Sequence, residues 1–209
     1  MFRTESTKVL SIESAAAHLH SGGLLIYPTE TAYAIGCDAT NPVALRAIFR
    51  LKRRERGKPL PLIVASRAMA EYYARFTPLA RRLAVRYWPG PLTIVLASRF
   101  SPLPVRRGSV RGRAALAPST IAANGTIALR VSSHPIARAL SRSLGRPIVS
   151  TSANRAGASP CYSARAALRS LRGGVRAVDT GPLPHRRPST IVDARGDRPI
   201  VLRRGSIRV

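Results

Sequence analysis

The stretch TIALRVSSHPIARALSRSLGRPIVSTSAN, residues 126–154, decides the class of fold. TIALRV (126–131) reads as a mostly apolar strand, Pro135 to Leu144 as a helix and PIVS (147–150) as a second strand. The same alternation extends outward on both sides. Upstream, LPLIVA (60–65) and LTIVLA (92–97) are apolar strands, separated by a helical stretch that Thr77-Pro78 caps and Trp88-Pro89-Gly90-Pro91 ends. Asn41 and Pro42 open another helix, in which Ala44, Ala47, Ile48 and Leu51 make one core-facing stripe. Nearer the start, Ser11 caps a helix through His20 that stops at Gly22-Gly23, and LLIY (24–27) is a buried strand broken by Pro28. Downstream, Ser163 to Leu171 reads as a helix, and STIVDA and PIVLRR close the chain as strands. Helices alternating with hydrophobic strands predict an α+β fold, a mixed sheet covered by helices on both faces. Residues 98–125 are rich in Arg, Ser, Pro and Gly with little periodicity, and read as a mobile, basic surface loop.

The length of 209 residues suits a single domain, and 45% hydrophobic residues is ordinary for a globular chain. The charge is not ordinary: 35 Lys and Arg oppose nine Asp and Glu, for a net +26. Two readings stand, an attraction for polyanions such as nucleic acid and nucleotides, or a compositional bias of the source genome toward Arg. Cys37 and Cys161 are too few for a disulfide framework or a CxxC metal site, which fits a reduced, cytoplasmic setting. Glu5 and Glu13 interrupt what a signal peptide would need as an apolar core, and no apolar run reaches membrane-spanning length. The histidines form no HExxH motif, and no metal site is expected from the chain.

Polar residues gather directly after strands, where open sheets build ligand crevices. PTETAYAIG (28–36) carries Thr29, Glu30, Thr31 and Tyr33; STSANRAG (150–157) carries Ser150, Ser152, Asn154 and Gly157, which can give donors and a closely approaching backbone to phosphate or ribose. RPSTIVD places Ser189 and Thr190 at the opening of a strand. Arg130 stands in an otherwise apolar strand, where it is costly unless it pairs with an ion or a ligand. LKRRERGKPL (51–60) packs five cations between Lys52 and Lys58, more than a helix C-terminus needs, so either water or an anion neutralises them. Neither GxxxxGK[ST] nor GxGxxG occurs, which excludes a P-loop or a Rossmann turn.

In order along the chain, PTETAYAIGCDA, IFRLKRRERGKPLPLIV, WPGPLTIVL, IALRVSSHPIARAL, PIVSTSANRAGASP and PSTIVD…IVLRRGSI resemble the successive motifs of the YrdC-like threonylcarbamoyl-AMP synthases, over about residues 11–207. The resemblance implies an α+β fold with a twisted mixed β-sheet, flanking helices and a basic concave face. It implies a reaction in which L-threonine, bicarbonate or CO2, and ATP give threonylcarbamoyl-AMP and pyrophosphate. The product would feed a separate transferase that makes N6-threonylcarbamoyladenosine in tRNA.

The resemblance also implies roles for residues. The family's KxR pattern falls on Lys52 and Arg54, its next basic residue on Lys58, and its SxN pattern on Ser152 and Asn154, with Ser150 beside them. The first three are the expected catalytic cations, acting with Mg²⁺. Arg130 and Arg203 match arginines on the nucleotide side, and Thr29, Thr31, Tyr33 and Ser189 are the expected threonine-binding set. Two departures stand out: Glu55 follows Arg54 where the family often has Pro, and Pro188 precedes Ser189 where many members have Glu. Two other functions compete, a carbamoyl-adenylate-forming domain and a non-catalytic module that binds tRNA or double-stranded RNA. Aromatic residues, at 5%, are few for the stacking that RNA-binding surfaces use.

Overall fold

The computed structural model describes residues 10–53, 60–100, 114–171 and 175–209. Helix α1 (Ile12–His20) starts where the Ser11 hydroxyl accepts from the Ser14 amide, 3.2 Å away. Strand β1 (Leu25–Pro28) turns back into β2 (Tyr33–Gly36), pairing antiparallel from Leu25↔Gly36 to Pro28↔Tyr33. Pro28 therefore ends the strand from within rather than breaking it from outside. Helix α2 (Pro42–Lys52) follows its Asn41 cap, which accepts from the Val43 and Ala44 amides. Its buried face is Ala44, Leu45, Ile48, Phe49 and Lys52, rotated from the expected stripe, so that Ala47 and Leu51 are only half-buried. That rotation carries the Lys52 side chain inward.

Strand β3 (Leu62–Ile63) is shorter than LPLIVA suggests, since Pro61 has no amide to give a sheet. Next comes a helix that the sequence reading does not contain, α3 (Arg67–Tyr73), capped by Ser66 and followed by β4 (Ala74–Arg75). Helix α4 (Pro78–Tyr87) and β5 (Leu92–Ser98) lie as expected, then β6 (Thr126–Arg130), α5 (Pro135–Leu144), β7 (Ile148–Val149), β8 (Thr151–Ser152), α6 (Ala164–Leu171), β9 (Arg176–Ala177), β10 (Thr190–Asp193) and β11 (Ile200–Arg203). Of the basic loop expected at 98–125, residues 101–113 lie outside the described residues. Its C-terminal part is not surface loop: Leu116, Ala117 and Ile121 are buried in the main core, because they are the apolar side chains of that stretch.

The strands form two mixed sheets rather than one. The smaller has the order β8-β2-β1-β9; the larger has the order β11-β10-β5-β6-β3-β7, with β4 on β5. Period-two alternation sorts their faces. Leu25 and Tyr27 of β1 pack with α1 and α5, while Ile26 joins Tyr33, Ile35 and α6 on the other side. In the large sheet, Leu62, Ile94, Leu96, Ile127 and Leu129 pack with α2, α3 and α4. The alternate residues, Ile63, Thr93, Arg130 and Ile191, turn to the opposite face, and Arg203 joins them as the cross-strand partner of Ile191.

The two sheets meet at Ser150. β7 pairs with β3 of the large sheet and β8 with β2 of the small one, so the chain changes sheets across one residue. A Cβ on Gly36 would lie 1.9 Å from the Val149 carbonyl oxygen, which is why only glycine fits at this junction.

Candidate active site

The face of the large sheet left free by α2–α4 forms the floor of a cavity of about 280 Å³. Thr31, Tyr33 and Ala34 come from the small sheet and its turn, Thr93, Arg130, Ile191 and Arg203 from the large sheet, and Ser150 and Ser152 from the junction between them. Pro188 and Ser189 close one side. The volume is below the roughly 300–1,000 Å³ usual for drug-sized ligands, so it suits an amino-acid-sized molecule, and anything as large as a nucleoside triphosphate must extend through the mouth.

Three arginines line this space, Arg186 from the loop before β10 and Arg130 and Arg203 from the large sheet. Arg130 is buried, and its Nη1 lies 3.3 Å from Glu30 Oε1. Glu30 is held in turn by the Ser132 hydroxyl, which donates to Oε2. Arg203 donates from Nε and Nη2 to the Ser189 carbonyl at 3.1 and 2.8 Å, and from Nη2 to Ser189 Oγ at 2.9 Å. Desolvation, and then the charge of Arg130, pull its pKa below the ordinary guanidinium value. Ser189 Oγ also lies 2.9 Å from Thr93 Oγ1, so Arg203, Ser189 and Thr93 form one hydrogen-bonded chain across the floor.

The other expected residues divide by what their polar atoms already do. Thr29 Oγ1 donates to the Ala32 carbonyl (2.7 Å) and accepts from the Thr31 and Ala32 amides, so it builds the turn. With that proton committed, the contact of 3.1 Å between the two hydroxyls has Thr31 as donor and leaves Thr31 with lone pairs to offer. The Tyr33 hydroxyl reaches away from the cavity, donating toward Asp179 and Gly181 and accepting from the Thr180 amide; burial raises its pKa. Tyr33 therefore lines the cavity without presenting its hydroxyl to it.

Lys52 is the sharpest departure from expectation. At 2% exposure, it donates to the carbonyl oxygens of Ser152 and Asn154, and it does not line the cavity. The Lys52 carbonyl accepts from the Ala156 amide at 3.2 Å, so the lysine clamps the Ser152–Ala156 stretch at two levels. The Asn154 Nδ2 donates to Ala158 O, and its Oδ1 is buried without a partner among the described residues. Gly157 does not supply a close approach: it faces open space and is glycine for its φ of +81°. Arg54 and Lys58 lie outside the described residues.

Sequence reasoning did not single out Thr93, Ser132 or Arg186. Thr93 carries the same signal as Arg130, a polar residue within an apolar strand; Arg186, in an arginine-rich loop, carries none. Among the described residues no three His, Cys, Asp or Glu side chains come together around a point a metal could fill. The Glu30 carboxylate is engaged by Arg130 and Ser132.

Comparison with known proteins shows the family of the chain. The Sua5/YciO/YrdC family model, described as telomere recombination, matches residues 17–205. The threonylcarbamoyl-AMP synthase of Thiobacillus denitrificans is 40% identical over 179 residues, 85% of this chain and 87% of the relative. That of Alkalilimnicola ehrlichii is 35% identical over 196 residues, 91% and 95% of the two chains. The crystal structure of P. abyssi Sua5 complexed with L-threonine superposes with a TM-score of 0.80 at 32% identity, over 93% of this chain. This chain spans about half, 54%, of that one.

Proposed function

Because the chain belongs to the Sua5/YciO/YrdC family, we infer that it is a threonylcarbamoyl-AMP synthase, an enzyme that joins L-threonine, bicarbonate or CO2, and ATP into threonylcarbamoyl-AMP and pyrophosphate. One observation carries the reading at the level of chemistry: an amino-acid-sized cavity lined by hydroxyls and by three arginines. Thr31 and Ser189 hold the polar end of threonine, with the lone pairs of Thr31 free to accept. Thr29 and Tyr33 support them from behind, one by forming the turn and the other by tying β2 to residues 179–181.

The reaction needs the threonine nitrogen, once deprotonated, to attack the carbon of CO2, or of bicarbonate with loss of water. An oxygen of the resulting carbamate then attacks the α-phosphorus of ATP, and the bond to pyrophosphate breaks. Two anions must approach each other, so positioning and counter-charge do most of the work. Arg130 and Arg203 supply that charge from the cavity floor, Ser150 and Ser152 present hydroxyl donors at the junction of the sheets, and Asn154 offers its unpartnered Oδ1 as an acceptor. Arg54 and Lys58, the other cations of the family's pattern, would add counter-charge for the anionic substrates. Lys52 acts through the Ser152–Asn154 backbone that it holds. Magnesium enters with ATP as part of the substrate, and the product passes to a separate transferase that modifies tRNA. No helix among the described residues is long and apolar enough to cross a membrane, and the synthase works in the cytoplasm.

The decisive assay incubates the purified protein with ATP, Mg²⁺ and bicarbonate, with and without L-threonine, and measures pyrophosphate and the adenylate. Release should depend on threonine and fall steeply with valine, because a site built around hydroxyl partners rejects an analogue lacking one. Equal release with valine, or with no amino acid, removes the synthase reading. Binding of double-stranded RNA without any such release would favour the RNA-binding alternative instead.

A further inference from the structure

We propose that Glu30 is a positioning residue of this reaction, holding the Arg130 guanidinium toward the ligand from behind the cavity wall. The inference rests on the synthase reading and adds a residue to it. Glu30 sits in the tight turn that Thr29 organises between β1 and β2. Its side chain is 7% exposed, its Oε1 is 3.3 Å from Arg130 Nη1, and its Oε2 accepts from the Ser132 hydroxyl. Ser132 Oγ accepts in turn from the His134 amide at 3.2 Å, at the start of α5. A carboxylate taken this far out of water is tolerated only with such partners. Glu30 is not part of the cavity lining, whereas Arg130 is.

The charge balance explains why the pair matters to a ligand. Arg130 and Arg203 face the same small space, where desolvation and then the charge of Arg130 pull the Arg203 guanidinium below its ordinary pKa. Without an anion behind it, Arg130 would be free to swing toward water and away from Arg203. Glu30 offsets part of the positive charge that Arg130, Arg186 and Arg203 bring to the cavity without removing any guanidinium, so the donors stay aimed with less mutual repulsion. A fixed donor costs less to use than a mobile one, which is how an unseen residue influences turnover.

The test is a double-mutant cycle on Glu30→Gln and Arg130→Gln, read as kcat and KM for ATP and threonine, with Tm measured beside them. Glutamine keeps the size and an acceptor for Ser132 but removes the charge. Glu30→Gln should lower kcat/KM for ATP roughly tenfold with Tm little changed, and should add less than twofold once Arg130 is Gln. Glu30→Asp, which retains the charge at shorter reach, should lie between parent and Gln. Equal losses for Glu30→Gln in both backgrounds overturn the proposal, as does a silent Arg130→Gln or a loss that follows Tm alone. Should Glu30→Gln not fold, Ser132→Ala carries the cycle, with a smaller loss of about threefold that must vanish in the Arg130→Gln background. A parent protein that makes no threonylcarbamoyl-AMP removes the synthase reading itself; an active parent with an additive cycle removes only the role of Glu30.

Discussion

Replacing Lys52 by Met separates two ways in which a lysine can serve a site. Met has a similar length and no charge, so it fills the buried path of the side chain while removing its bonds to the Ser152 and Asn154 carbonyls. Ser152 O keeps the Asn154 amide as a donor at 2.9 Å, and the Asn154 carbonyl loses the bond from Lys52. Two charge-assisted hydrogen bonds amount to about 3–6 kcal/mol, and relief of the ammonium's desolvation returns part of that, leaving a net loss of about 2–4 kcal/mol. For a domain of this size the melting temperature should fall by about 4–16 °C. At a temperature where the variant remains folded, kcat/KM for ATP should still fall at least roughly tenfold, because Ser152 and Asn154 are no longer held. Urea unfolding and steady-state kinetics on the same preparation measure both. A variant with parental stability and lost turnover would mean that Lys52 acts on the ligand directly. Parental stability together with parental turnover would refute the clamp altogether.

Ser189→Ala removes an acceptor from Arg203 and the partner of Thr93, and should raise KM for threonine roughly tenfold while narrowing the preference over valine. Arg146→Ala breaks the 2.7 Å pair with Asp38, which is buried; because Arg146 is 30% exposed and Thr40 also donates to Asp38, the cost should be about 1–3 kcal/mol in urea unfolding with kinetics unchanged. Both thiols should resist an aromatic disulfide reagent in the native protein and react on unfolding. Burial, with the Asp38 charge behind it, keeps Cys37 protonated well above the usual thiol range, and rapid native labelling of Cys37 would contradict its place in the core.

The parts of the fold legible in the sequence are those with long-range consequences written locally. Helix α5 runs from Pro135 to Leu144 as read, because proline fixes its first turn and the apolar spacing is regular. Helix α3 was not legible: seven residues bury only Met69, Ala70 and Tyr73, too few for a period to show, although Ser66 is an ordinary cap. The division into two sheets was also hidden, since β7, β8 and β9 have two residues each and no alternation can be read from a pair. At the site, Arg130 stood out because charge in an apolar strand requires a partner. The direction of Lys52 did not, since a lysine at a helix end is expected to reach for water, and only the rotation of the α2 stripe turns it inward. The hydroxyls of Thr29 and Tyr33 illustrate a further limit: residue type shows what can be donated, while the receiving atom depends on tertiary neighbours.

The change of sheets at Ser150 has a consequence for how this segment can vary through evolution. Ile148 and Val149 are in register with Ile63 and Leu62, while Thr151 and Ser152 are in register with Ile35 and Ala34. Inserting or deleting one residue here would have to slip one of the two ladders, and a slip of one position exchanges every inward side chain for an outward one. Gly36 leaves no slack to absorb the difference, with the Val149 carbonyl already where its Cβ would be. Length variation among relatives should therefore collect in other loops, and this segment should drift by substitution alone, at constant spacing from Val149 to Asn154.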